Sequence, residues 1–324
     1  MKPTEVQALL NGEQRPLARA ISAAENRTAE HRAWMKAVYS STGRAHITGM
    51  TGSPGSGKSS LVSGLVKQFR AADKTVGVIA IDPTSPFSGG ALLGDRVRLR
   101  DHEGDSGVFV RSMGTRGSLG GLSEACLDAV RLMDAAGYDE IVIETVGVGQ
   151  SELDIMQAAD TIALVLYPSG GDVIQAFKAG IMEIADLFVI NKADLPGVPQ
   201  LKSELEDLLH LTKSNSPWQP PVIEAVATEQ KGIEALAEAI GRHRLHLAES
   251  GEKQTRRKGR LEAEVTRRVT ERAEAEWRPF IAEAVKGSEE NEADPYDLAD
   301  EIYRSWRKKI TATSDHHEET EGTR

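Results

Sequence analysis

The sequence holds a single cysteine, Cys126, among its 324 residues. One thiol excludes an intramolecular disulfide and any site built from clustered cysteines, whether zinc or iron–sulfur. Such sparing use suits a reducing cytosol, so a cytoplasmic location is expected. Cys126 falls in an apolar-periodic stretch, 119–133, and reads as a small core residue rather than a reactive thiol. Long hydrophobic runs are also missing. The most apolar run is Ile162–Tyr167, far short of the ~20 residues that cross a bilayer. The start, Met1-Lys2-Pro3-Thr4-Glu5, lacks the apolar segment of a signal peptide. No membrane insertion is therefore expected. Aromatics make up only 5% of the chain, and an excess of positive charge is absent: 39 Lys and Arg stand against 49 Asp and Glu, for a net charge of −10. A chain of that sign has no long-range attraction to nucleic-acid backbones, so no nucleic-acid partner is expected. The basic cluster Arg256-Arg257-Lys258-Gly259-Arg260 lies between acidic stretches without interleaved aromatics, and reads as a solvated helix face or linker.

What is present is enough apolar residue, 40%, for one large domain or two ordinary ones. Residues 1–42 carry helical spacing, with Leu9/Leu10, Leu17, Ile21, Trp34 and Val38 on apolar faces. From His46 the character changes. Short runs, Ile47–Thr51, Val76–Ile81, Val108–Arg111, Ile141–Glu144, Ile162–Tyr167, Leu187–Ile190 and Val222–Val226, alternate with glycine-rich turns and helical patterns. Most of these runs are continuously apolar, as strands buried on both faces of a parallel sheet are. The expectation is an α/β fold with a mostly parallel, doubly wound sheet over 43–250. An N-terminal helical segment, 1–42, and a C-terminal helical extension, 251–313, flank it, with a disordered tail over 314–324. The stripe Tyr296, Ala299, Ile302/Tyr303, Trp306 and Ile310 could be core, docking arm or dimer contact.

The strongest local signal is Gly52-Ser53-Pro54-Gly55-Ser56-Gly57-Lys58-Ser59, which matches G-x-x-x-x-G-K-[ST] between a strand and a helical pattern. Glycines let backbone N–H groups curl around a phosphate chain, and the following helix N-terminus adds partial positive charge. Lys58 reaches the β- and γ-phosphates in such loops, and the hydroxyl at Ser59 meets Mg²⁺. The base is chosen elsewhere. Asn191-Lys192-Ala193-Asp194 follows an apolar strand and reads N-K-x-D. Asp194 offers paired acceptors for the N1–H and amino group of guanine, a donor pair adenine lacks. Asn191 would bond the base edge and the loop, and the Lys192 stem would cover the ring. A later turn, Val226-Ala227-Thr228, is the candidate for a backbone N–H to the guanine carbonyl, with Val226 where GTPases usually carry serine.

Two strands end in carboxylates, at Asp82 and at Glu144. With Asp95 they are candidates to surround Mg²⁺, or else turn and cap residues. Glu144-x-x-Gly147 has the spacing of the D-x-x-G switch, in which Gly147 would offer its N–H to the γ-phosphate. The next residue is Val148 rather than the glutamine that orients water in Ras-like GTPases, and the nearest glutamine is Gln150. Slow intrinsic hydrolysis is expected.

The stretch Ile79–Arg96, Arg116-Gly117-Ser118-Leu119-Gly120-Gly121, Glu144–Glu152 and Gly171–Ile181 occur in one order. In these motifs the chain resembles the MeaB/ArgK family of P-loop GTPases, with residues 9–250 covered well and the C-terminal helices more loosely. The resemblance implies a G-protein chaperone that gates cofactor loading into, and protects, an adenosylcobalamin-dependent acyl-CoA mutase, typically methylmalonyl-CoA mutase. It implies GTP and GDP as nucleotides, Mg²⁺, and a homodimer formed through the C-terminal helices. Carried onto this sequence, Gly52 to Ser60 hold phosphates, Ser59, Asp82, Asp95 and Glu144 surround the metal, and Asn191, Lys192 and Asp194 read guanine. The segment 171–180 matches a loop that communicates with the mutase. Within it, Lys178 is either a stabiliser of transition-state charge or a surface lysine. An older label in the family, a kinase linked to amino-acid transport, is the alternative, and the N-K-A-D base site argues against it.

Overall fold

The computed structural model describes residues 2–82, 102, 104–114, 124–145, 155–168, 180–214, 216–286 and 294–321. They fall into two units, Met1–Gln254 and Thr255–Arg324.

The first unit opens with helices α1 (Pro3–Leu10), α2 (Gln14–Glu25) and α3 (His31–Val38). It continues β1 (His46–Gly52), α4 (Lys58–Ala71), β2 (Val76–Asp82), β3 (Val108–Gly114), α5 (Glu124–Ala135), β4 (Glu140–Glu144), β5 (Thr161–Leu166), α6 (Ile181–Ile184), β6 (Leu187–Asn191), α7 (Val198–Lys213), β7 (Val222–Ala225) and α8 (Ile233–Glu249). The strands form one seven-stranded sheet in the order β3-β2-β4-β1-β5-β6-β7. Each pairing in it is parallel. The apolar runs of the sequence become these strands, with ends moved by a few residues. β4, β5 and β6 are buried at every position, which is why their runs are continuous rather than alternating. Met50 of β1 lies in register with Glu144 of β4 on one side and Ala163 of β5 on the other. The loop after β1 therefore leaves the middle of the sheet, at the carboxyl edge where parallel sheets bind ligands.

Each face is covered by helices with apolar stripes. Leu17, Ile21, Trp34 and Val38 of the N-terminal helices join Met133 of α5 and Ile141 and Ile143 of β4 in one core. Leu61 and Leu65 of α4 meet Ile233, Leu236 and Ile240 of α8 on the other side. The α6–α7 pair covers β5 and β6 through Met182, Leu201 and Leu205 against Leu164, Phe188 and Ile190. The N-terminal helices also close the exposed edge of the sheet. The Gln14 side-chain amide donates to the Ser106 and Val108 carbonyls at 3.3 and 3.0 Å, and Arg111 of β3 pairs with Glu25. Covering these edge carbonyls blocks pairing with another strand.

The second unit consists of the rest of α9 (Glu252–Lys286) and of α10 (Pro295–Glu321). Trp277 and Trp306 meet with ring centroids 5.4 Å apart, and Tyr303 lies 6.0 Å from Trp306. α10 runs past Ser314, where the polar composition predicts a disordered tail. Glu318, Glu319 and Glu321 are good helix formers. No helix among the described residues is long and apolar enough to cross a membrane.

At the amino edge of the sheet lies a buried polar chain. His46 Nε2 is 2.9 Å from Thr161 Oγ1, and the same hydroxyl is 2.8 Å from His243 Nδ1. His46 is 1% exposed. Burial pushes its pKa down to about 3, although Asp160, 4.0 Å from Nδ1, pulls the other way. The imidazole is thus neutral in the folded protein and takes up a proton on unfolding below its ordinary pKa of 6.5. Its contribution to stability is whole above that value and is lost as pH falls toward about 3. Between pH 6.5 and 5 the loss from this group is on the order of 2 kcal/mol. Urea unfolding across this range, compared with His46→Gln, should show a shallower acid slope in the variant. Equal slopes would mean that His46 is not the group responsible.

Candidate functional site

β1 ends at Gly52 and α4 begins at Lys58, so the glycine-rich segment is the whole connection between strand and helix. Two glycines are required by its path. Gly52 has φ +138, and a Cβ there would sit 2.0 Å from the Val165 carbonyl oxygen of β5. Gly57 has φ +88, and its Cβ would sit 2.2 Å from the Asn191 amide nitrogen. Between them Ser53 is half-buried, Pro54 and Gly55 are exposed at the tip, and Ser56 is buried. Ser56 N donates to Ser53 O at 3.2 Å, which closes the turn. Lys58 and Ser59 are 5% and 3% exposed, and Ser60 is half-buried. Lys58 Nζ donates to Gly52 O at 2.6 Å and Ser53 O at 3.0 Å, so the ammonium is held inside the loop's curve. The first-turn amides of α4, a 14-residue helix, add the partial positive charge of a helix N-terminus.

The metal candidates converge in part. Ser59 Oγ donates to Glu144 Oε1 at 2.5 Å, and Glu144 is 4% exposed. Glu144 closes β4 in register with Ala80 of β2, and Asp82 lies two residues further along that strand. Both acidic positions thus sit at the carboxyl edge of adjacent strands. A hydroxyl and a carboxylate are hard oxygen donors and suit Mg²⁺, which takes few protein ligands beside phosphate and water. Among the described residues no group of three or more His, Cys, Asp or Glu is placed to hold a metal ion. Asp95, Gly147, Val148, Gln150 and Lys178 lie outside the described residues, as does the 171–179 segment.

The base candidates are built onto the phosphate loop. Asn191 ends β6 and is 2% exposed. Its Nδ2 donates to Ser56 O at 2.7 Å, and its Oδ1 accepts from Ala227 N at 3.2 Å. Ala193 N donates to Ala225 O at 3.0 Å, and Leu195 N to Lys192 O at 3.0 Å. Lys192 has the left-handed φ of +56. Asp194 is exposed, and its charge helps Glu229 hold the Lys231 ammonium above its usual pKa. Val226 is bridged to Lys231, which closes the turn that holds Val226-Ala227-Thr228. The Ala227 N–H, expected to meet a guanine carbonyl, here donates to Asn191, so a carbonyl arriving there would share that donor.

Thr145 and Thr51 carry no role in the sequence motifs. Thr145 Oγ1 donates to Thr51 Oγ1 at 3.1 Å, and Thr145 N donates to Met50 O at 3.1 Å. These bonds tie the residue after Glu144 to the end of β1. The only signal for them was a hydroxyl residue directly after a strand's terminal carboxylate. Taken together, the carboxyl edge presents a glycine loop with its lysine, a Ser59–Glu144 pair, and the Asn191 loop anchored to the glycine loop through Ser56 and to the turn after β7 through Ala227.

A family model described as methylmalonyl Co-A mutase-associated GTPase MeaB matches residues 17–285. The chain is 46% identical over 312 residues to a GTPase-named protein of Pyrococcus horikoshii, covering 93% of this chain and 97% of that one. It is 36% identical over 254 residues to GTPase ArgK of Escherichia coli, covering 76% and 77%. A crystal structure of an LAO/AO transport system kinase is similar at 26% identity with a TM-score of 0.71, over 94% of this chain and 97% of that one. With a family model spanning most of its length and a GTPase-named relative aligned nearly end to end, this chain belongs to the MeaB family of methylmalonyl-CoA mutase-associated GTPases.

Proposed function

We propose that this protein is a GTP-hydrolysing G-protein chaperone that gates adenosylcobalamin loading into, and protects, a B12-dependent acyl-CoA mutase, with methylmalonyl-CoA mutase as the first candidate. The observation that carries the nucleotide half is the Asn191 carboxamide, bonded to Ser56 of the phosphate loop and to Ala227 of the later turn. That join ties the loop that carries Asp194 to the glycine loop, which supports one ligand spanning the two, as a guanine nucleotide would. The mutase half is supported by the description of the matching family. GTP and GDP are the ligands. Lys58 would lie on the phosphates, and Ser59, Glu144, Asp82 and Asp95 would hold Mg²⁺, which would offset phosphate charge. Gly147 would offer its N–H to the γ-phosphate, and Lys178 would be either a stabiliser of transition-state charge or a surface lysine. The kinase name of the similar crystal structure gives a second reading, but a carboxylate at Asp194 disfavours adenine.

Asp194→Asn replaces an acceptor by a donor. GDP affinity should fall on the order of 100-fold, because a charge-assisted bond is lost and a donor faces a donor. Xanthosine diphosphate, with a carbonyl at that edge, should gain binding. Unchanged nucleotide preference in a competition titration would remove the guanine reading.

The isolated protein should hydrolyse GTP only with Mg²⁺ and well below about 1 s⁻¹, since Val148 stands where Ras-like enzymes use glutamine. Adding the partner mutase should raise the rate. A rate indifferent to methylmalonyl-, isobutyryl- and ethylmalonyl-CoA mutases would overturn the chaperone role and leave the GTPase intact. A Lys178→Ala variant in that assay separates the catalytic lysine from a surface one.

Homodimerisation is proposed through the second unit. α9 buries no residue, and Leu261, Val265 and Val269 recur along it at 47%, 50% and 62% exposure. An apolar stripe of that kind suits a partner helix. The full chain should therefore have the solution mass of a dimer, and the double variant Leu261→Glu with Val265→Glu that of a monomer. Equal association of the two would place the contact elsewhere.

A further inference from the structure

Tyr167 directly follows β5 and is half-buried. Lys192 directly follows β6, the strand paired with β5, and its backbone is left-handed at φ +56. The Lys192 ammonium lies over the Tyr167 ring, 4.6 Å from the centroid. A second approach joins the same two segments. A Cβ on Gly197 would lie 3.5 Å from the Pro168 side chain. The pair Tyr167-Pro168 thus backs the 191–197 loop near both of its ends. Nothing in the functional reading above uses Tyr167, and its place at the end of an apolar run marks it only as strand.

A lysine in water samples many rotamers, and ordering them opposes binding. A cation seated on an aromatic face has its far end fixed while its methylene stem stays available for apolar contact. The stem of Lys192 is the part that would lie against a planar base. An asparagine already ties the start of this loop to Ser56, so the lysine is the segment's remaining long, rotamer-rich side chain next to the site.

We propose that Tyr167 is a positioning residue of the base site, whose ring holds Lys192 in place as one wall of the guanine pocket before nucleotide arrives. The inference rests on the guanine reading above. Tyr167 acts through Lys192 and touches no reacting atom. The base is common to GTP and GDP and remote from the bond that breaks, so this support strengthens binding of both nucleotides alike. Such uniform binding changes KM and leaves kcat unaltered. The ring rather than the phenolic hydroxyl carries the effect, so phenylalanine serves as well as tyrosine.

The test is a titration of the full chain with a fluorescent GDP analogue, repeated by competition with GTP. Tyr167→Leu keeps an apolar body of similar reach and removes the π face. It should weaken both nucleotides by roughly two- to fivefold. Tyr167→Phe should restore wild-type affinity, and kcat at saturating GTP should be the same in all three proteins. In a Lys192→Met background the leucine should cost nothing further, because the interacting partner is gone. Tyr167→Met serves as a second variant if the leucine protein melts early in the absence of nucleotide. Wild-type affinity in Tyr167→Leu, or an equal loss in the Lys192→Met background, overturns the inference while leaving the guanine reading in place. Failure of the unaltered protein to bind the GDP analogue overturns the guanine reading and this inference with it.

Discussion

The site depends on one buried carboxamide. Asn191 is 2% exposed, donates to Ser56 O and accepts from Ala227 N. Its two partners belong to the phosphate loop and to the turn after β7, while Asn191 itself ends β6. Three connections that are far apart in sequence are therefore joined by a single side chain. A buried amide left half-bonded costs about 1–3 kcal/mol, so each bond enforces the other. Gly57 shows how tightly the join is made, because any Cβ there would collide with the Asn191 nitrogen. An aspartate at this position would lack the donor for Ser56 O, and a leucine of similar size would lack both functions.

The sheet makes that join possible. β1 lies at its centre, with β4 on one side and β5 and β6 on the other. Parallel strands end at one edge, so Gly52, Glu144 and Asn191 all emerge there although they are distant in the chain. The β1–β4 pairing puts Glu144 within a hydrogen bond of Ser59, and Thr145 repeats the tie to Thr51. The β1–β5 pairing brings the Val165 carbonyl so close to Gly52 that only glycine fits. Helices on both faces keep these strands dry, and the edge strand β3 is covered by Gln14 and Glu25 of α2. The N-terminal helices thus act on the sheet and are part of the same unit.

Much of this was legible in the sequence, for identifiable reasons. Buried parallel strands leave continuous apolar runs, so the sheet was readable before its order was. The phosphate loop and N-K-x-D are short, contiguous and chemically constrained, so they announce themselves. The order of the strands was not readable, because no residue pattern states which strand lies beside which. Nor were the contacts that cross that order. Thr145 on Thr51, Gln14 on the β3 edge and Lys192 on Tyr167 all join residues without a local pattern. Ala227 was found by its turn, but the acceptor its N–H meets depended on where β6 ends. The long apolar spacing in α9 and α10 indicated helices and left open what covers them.

The net charge of −10 illustrates how little a global quantity says about such a site. A triphosphate is strongly anionic, and the average field of this chain opposes it. The opposition is weak beyond about 8 Å at physiological salt, because mobile ions screen it. Inside that distance the field is set by what is fixed. Lys58 is held in the loop by two carbonyls, the first-turn amides of α4 face the same space, and the acidic Glu144 is engaged by Ser59. These groups are already gathered at one place by the fold, so little of their order has to be created when a ligand arrives. A carboxylate beside a phosphate is unfavourable unless a cation lies between them. With Glu144 placed next to Ser59, the Mg²⁺ of the proposed function is the cation that would offset this charge.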